Sequence, residues 1–186
     1  GRYHFDFTMA FDREVPLLPV FVWFYILAFP FWAVGYLLAA RRGKDMFYRF
    51  VATDLTIHFI CFICFILIPT TNIRPEIPGN TLSEKILALV YSLDGGNSPS
   101  NLFPSIHCYV SWMCWKGVEG SEKVPKWYQR FSLVFAILII ISTQVLKQHY
   151  IVDAAAALLL VEFFWRFYQK GQRHKWVVHV FAHKKK

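Results

Sequence analysis

Charge is what this chain has least of. Only 17% of its residues are charged, against 56% hydrophobic and 19% aromatic, a balance too apolar for an ordinary soluble domain and simplest to read as one membrane domain. Acidic residues are scarcer still, 12 against 20 Lys and Arg, for a formal charge of +8. That excess does not point to nucleic acid, because the basic residues stand beside apolar spans and are not interleaved with exposed stacking aromatics. No cysteine set resembles a zinc site: Cys61, Cys64, Cys108 and Cys114 all fall within apolar segments, where a thiol behaves as a small hydrophobe. They imply no metal, and they leave the redox compartment open. The opening Gly1-Arg2-Tyr3-His4 has neither an initiator Met nor a basic-then-apolar leader, and the expectation is that a preceding segment was removed or left out.

What is present is apolar length. Five stretches suit a bilayer, whose hydrocarbon core takes ~20 helical residues and accepts short or tilted spans: Pro16 to Leu38, Phe47 to Ile68, Phe103 to Val118, Trp127 to Val145 and Tyr150 to Phe167. The third is short and interrupted by polar residues. One helix from Trp127 to Phe167 would be ~60 Å long, about twice the hydrocarbon thickness, so the polar run Lys147-Gln148-His149 is expected to turn the chain. The predicted class is all-α, a polytopic membrane helix bundle with five spans. Residues 1–15 form an extracytoplasmic segment, 16–170 the membrane catalytic domain and 171–186 a basic cytoplasmic tail suited to anionic inner-leaflet lipid.

Orientation follows from Lys and Arg in the connections. Arg41, Arg42, Lys44 and Arg49, then Lys116, Lys123, Lys126 and Arg130, then Arg166, Lys170, Arg173, Lys175, Lys184, Lys185 and Lys186 put fifteen of the twenty on one side, which is read as cytoplasmic. Between Pro69 and Leu102 on the other side, Thr81-x-x-Glu84 reads as a capping box. Leu82, Ile86, Leu89, Val90 and Leu93 then recur at helical spacing, which predicts a short interfacial helix. A loop, Asp94 to Asn101, follows.

Three strings meet the extracytoplasmic side: Arg74-Pro75, Pro104-Ser105-Ile106-His107 and His149-x-x-x-Asp153. Four residues apart, His149 and Asp153 share a helix face, so the carboxylate fixes one imidazole nitrogen and leaves the other to attack phosphorus. His107 is placed to protonate a departing alcohol. Ser105 and the free amides of a proline-opened helix suit a phosphate oxygen, and the Arg74 fork suits two of them. Each has a plainer reading: a structural His/Asp contact, a helix-capping serine with an interfacial histidine, and an arginine snorkelling to headgroups. Asp54 and His58, also four apart, read as a buried structural pair or an ion path. Glu162 and Arg166 read as a surface ion pair.

The order Arg-Pro, Pro-Ser-x-His and Ser-x6-His-x3-Asp (Ser142, His149, Asp153) resembles the type 2 phosphatidic acid phosphatase superfamily of membrane lipid phosphatases and phosphotransferases. More narrowly, Phe103-Pro104-Ser105-Ile106-His107 and Lys147-Gln148-His149-Tyr150-x-x-Asp153 resemble its inositol phosphorylceramide synthase-like branch. The resemblance implies a six-helix bundle with the first span missing here, a histidine nucleophile at His149 oriented by Asp153, His107 as acid and then base, and no cofactor or metal. Against that pattern Leu67 stands for a lysine, Thr143 for an arginine and Ile106 for a glycine. Two usual phosphate-binding cations are therefore gone from a set in which Thr143 holds a phosphate-binding position. Lys147 is one replacement, with Asn72 and Asn101 as neutral donors.

A monoester carries close to two charges and a diester one, so fewer cations favour a diester donor. The expected function is headgroup phosphotransfer between lipids at the plasma membrane, with a phospholipid or other lipid phosphate as partner. Hydrolysis of a lipid phosphate monoester, of the phosphatidic acid or polyprenyl phosphate type, is the nearest alternative. A non-catalytic protein that binds a lipid headgroup is the alternative from another class.

Overall fold

The computed structural model describes residues 4–96 and 99–182. Asn97 and Ser98 of the expected loop, Arg2 and the closing Lys184, Lys185 and Lys186 lie outside the described residues. The described residues form eight α-helices in order: α1 (Ala10–Glu14), α2 (Val22–Arg41), α3 (Lys44–Leu67), α4 (Leu82–Leu93), α5 (Ile106–Val118), α6 (Lys126–Val145), α7 (Ile151–Gln169) and α8 (Lys175–Ala182), with a 3-10 turn, Pro19–Phe21, leading into α2. Among the described residues the only β pairing is two isolated bridges, Phe5 with Thr70 and Thr71 with Ser100.

Helices α2, α3, α5, α6 and α7 occupy the five apolar stretches. Three segments, Pro19–Arg41, Lys44–Leu67 and Lys126–Val145, are long and apolar enough to cross a membrane. Phe59, Phe62 and Leu67 turn outward from α3, as helices facing lipid require. The chain does turn where length demands it: α6 stops at Val145, α7 starts at Ile151, and Lys147 takes a positive φ of 52° between them.

The short α5 is the centre of the bundle, packed against α2, α3, α6 and α7. This explains its interrupted pattern, since a helix covered on every side has no solvent face and its polar residues must pair with neighbours. Ser111 accepts the Trp32 indole N–H at 2.9 Å, and half-buried Trp112 and buried Lys116 meet Glu162 of α7 at 2.9 and 3.3 Å. Glu162 is therefore more than the partner of Arg166, which it also contacts at 3.4 Å. The expected Asp54–His58 pair forms at 3.3 Å, with the Tyr109 hydroxyl bonded to His58.

Close approach of α2 to α5 depends on Gly35. A Cβ there would stand 2.6 Å from Cys114 Sγ and 2.7 Å from Cys114 Cβ, so a side chain forces the helices apart. Gly35→Val is expected to cost about 1–3 kcal/mol by overpacking, read as a lower melting temperature in detergent. An unchanged melting temperature would contradict this α2–α5 contact.

Two short helices were not foreseen. In α1, Asp12 is buried and its carboxylate accepts the N–H of Met9 at 2.8 Å and of Ile151 at 3.0 Å. At the opposite end α8 folds back on α3, with Val177 packed near Ala52 and Tyr168 and His174 bonded to Asp45 at 2.8 Å. Helix α4 has the predicted Thr81/Glu84 capping box. It buries Leu87 and Tyr91 and exposes Leu82, Leu89 and Leu93.

Candidate active site

His107 and His149 come from different helix ends and meet in one cavity of about 230 Å³. Their ring centroids are 6.4 Å apart, with planes tilted by 48°. Ser105 caps α5, its Oγ accepting the Cys108 N–H at 3.3 Å, and this fixes where His107 leaves the first turn. His107 is then held on three sides by α2: Tyr25 stacks on it at 4.2 Å, Trp32 lies at 5.0 Å and the Phe29 edge at 5.8 Å. Its Nε2 is buried without a hydrogen bond among the described residues.

The pairing of His149 with Asp153 exists, but not on a shared helix face. His149 precedes α7, and its backbone N–H bonds to Thr143 O at 3.0 Å, while Asp153 is in the first turn of α7. Asp153 Oδ2 accepts the Tyr150 N–H at 2.9 Å and lies 3.4 Å from His149 Nδ1, longer than a made hydrogen bond. The Asp153 carbonyl accepts the Ser105 N–H at 3.3 Å, tying two motif strings directly together. A carboxylate suits this position because the helix N-terminus carries partial positive charge.

Of the proposed phosphate contacts, Asn101 lines the cavity, at a positive φ of 63°. The others lie behind or beside it. Arg74 has a fully buried side chain: Nη1 donates to the carbonyls of Asp94 at 2.9 Å and Gly96 at 3.1 Å, and Nη2 donates to Asp94 Oδ2 at 2.5 Å and to Gln148 Oε1. Tyr91 closes one face of the guanidinium at 4.7 Å, and burial pushes the Tyr91 hydroxyl up to about 12. Lys147 turns away, its Nζ donating to the carbonyls of Asp12 at 2.7 Å and Val15 at 2.5 Å. Burial lowers the Lys147 pKa, and Asp12 partly opposes that. Asn72 supports the same turn by donating to the Lys147 carbonyl at 2.9 Å. Ser105 and Thr143 are fully buried, and Thr143 Oγ1 donates to Ile140 O at 2.7 Å.

Several site residues escaped the sequence reading. Tyr25, Phe29 and Trp32 are spaced four and three apart in α2, a one-face helical pattern that was available to find them. Asp94 lines the cavity, where the sequence reading makes it only the first residue of a loop. Thr70 had no signal at all. Its Oγ1 accepts the N–H groups of Leu102 at 2.9 Å and Phe103 at 3.0 Å, holding the strand of chain that delivers Ser105 and His107. Thr70→Val leaves both donors without that acceptor and is expected to cost about 1–3 kcal/mol per buried group. Turnover falls with it, and restoration by Thr70→Ser checks that the hydroxyl is responsible.

Among the described residues no group of His, Cys, Asp and Glu is arranged to hold a metal ion. The four cysteines are free thiols. An all-helical integral membrane protein, with paired imidazoles in a pocket at one end of the bundle, is the class that fold and site define. The chain belongs to the PAP2 superfamily, whose model matches residues 2–166. That membership supports a phosphatase-type enzyme acting on lipid phosphates. No curated protein matches the chain, and no solved structure matches it.

Proposed function

We propose that the protein transfers a headgroup phosphate between lipids in two in-line steps through a phosphohistidine. His149 attacks phosphorus while His107 protonates the departing alcohol; His107 then takes the proton of the incoming acceptor hydroxyl as that oxygen attacks the phosphohistidine. Asp153 stabilises charge on His149 through its contact at 3.4 Å. The first-turn amides of α5, with Asn101, bind phosphoryl oxygens. Arg74 acts on the same oxygens through the turn it holds, and Ser105 by setting the α5 amides. Asn72, Lys147 and Thr143 act a layer further out, by fixing the chain before His149.

The observation that carries this reading is the cavity shared by His107 and His149, in which His107 Nε2 is buried without a hydrogen bond among the described residues and His149 Nδ1 faces Asp153, leaving its other ring nitrogen for phosphorus. An unmatched buried polar atom is costly, and a phosphate ester oxygen bound at His107 Nε2 removes that cost. The transferase choice is supported by the charge at the wall: Arg74 is matched by Asp94, and Lys147 is directed at Asp12 and Val15. Such a site suits a singly charged diester better than a doubly charged monoester. We further propose five membrane spans, α4 lying in the interface, the site on the extracytoplasmic side of the plasma membrane and a cytoplasmic C-terminus, from the distribution of Lys and Arg.

The test is mass spectrometry of lipids after incubating the purified protein with mixed phospholipids, with and without a lipid acceptor. The reading predicts a new phosphodiester lipid that needs the acceptor. Release of inorganic phosphate from a monoester alone would establish the hydrolase instead.

A further inference from the structure

Among the described residues lining the His107–His149 cavity, Asp94 is the one Asp, Glu, Lys or Arg, and it is acidic. This is unexpected for a pocket that takes phosphate. The reason lies one layer behind: the Arg74 side chain is fully buried, while that of Asp94 is about half exposed (53%). Arg74 grips Asp94 through both its carboxylate and its carbonyl, at 2.5 and 2.9 Å, and grips the Gly96 carbonyl at 3.1 Å. The positive member of the pair faces protein and the negative member faces the cavity. Gly95 and Gly96, with positive φ of 80° and 64°, make the tight turn that lets one guanidinium hold three acceptors.

We propose that Asp94 is a specificity residue: its carboxylate, fixed in the cavity wall by Arg74, selects a singly charged phosphodiester over a doubly charged phosphate monoester. The proposal deepens the phosphoryl-transfer reading of this cavity and rests on it. A fixed negative charge repels a dianion with twice the energy it applies to a monoanion. Solvent at the half-exposed Asp94 and the paired Arg74 reduce both terms in the same proportion, so the difference keeps its sign. A monoester keeps its second charge close to Asp94, whereas a diester replaces it with an uncharged ester oxygen. Asp94 contributes no bond to the reaction and acts on affinity.

The experiment compares inorganic phosphate and dimethyl phosphate at pH 8, where the first is mainly a dianion and the second a monoanion, by their concentration-dependent effect on the melting temperature of the detergent-purified protein. No turnover is needed. In wild type, dimethyl phosphate is expected to bind at least as tightly as inorganic phosphate. In Asp94→Asn the preference shifts toward inorganic phosphate by about tenfold, and Asp94→Glu, which keeps the charge, retains the wild-type ratio. If Asp94→Asn fails to fold because its amide N–H groups meet the Arg74 donors, Asp94→Ser, smaller, neutral and able to accept through its hydroxyl, carries the same expectation. An unchanged ratio in a folded neutral variant overturns the role of Asp94 and leaves the phosphate site standing. Failure of wild type to bind either anion overturns the phosphate site and this proposal together.

Discussion

His149→Ala is expected to reduce turnover by about 10⁴-fold or more, the scale on which removal of a nucleophile leaves only binding and positioning. Thermal stability is expected to stay near wild type. The reason is in the site itself: His149 Nδ1 has no hydrogen bond among the described residues, and the backbone N–H that fixes the turn, bonded to Thr143 O at 3.0 Å, survives the substitution. A steady-state assay with a melting curve on the same preparation separates the two effects. Loss of activity with an equal loss of folded protein would assign His149 a structural role, and retained activity would remove it from the chemistry.

His107→Gln gives the second large effect, a fall of about 10²–10⁴-fold with a lipid alcohol as leaving group. The deficit shrinks for p-nitrophenyl esters, whose leaving group departs without a proton. Leaving-group dependence distinguishes acid catalysis from mere packing, because Tyr25, Phe29 and Trp32 surround the ring and any truncation there opens space. An equal deficit for both substrate types would contradict the acid role.

How much of this was legible in sequence depended on how local the cause is. The turn between α6 and α7 was forced by length alone, and the Thr81/Glu84 capping box by residues three apart. The pairing of His149 with Asp153 was legible as a spacing, yet the helical reason for it does not hold, because α7 begins at Ile151 and the two side chains meet across a helix start. Lys147 shows the limit most clearly. Its spacing from Thr143 suggested a replacement cation, but its ammonium goes to carbonyls of Asp12 and Val15, more than 130 residues away in the chain. No local pattern announces that. Arg74 was singled out by its motif, while its partner Asp94, twenty residues on, is apparent only once the turn after α4 is folded against Arg74. The polar interruptions in α5 were read as weakness in a span, whereas they mark a helix enclosed by four others.

The most direct measurement is to react the purified protein briefly with a radiolabelled lipid phosphate donor, quench, and locate any phosphoryl group bound to the chain. A two-step transfer predicts an acid-labile, base-stable label on His149, absent in His149→Ala and discharged when acceptor lipid is added. Turnover in the absence of any such label, or a label on another residue, would contradict the mechanism.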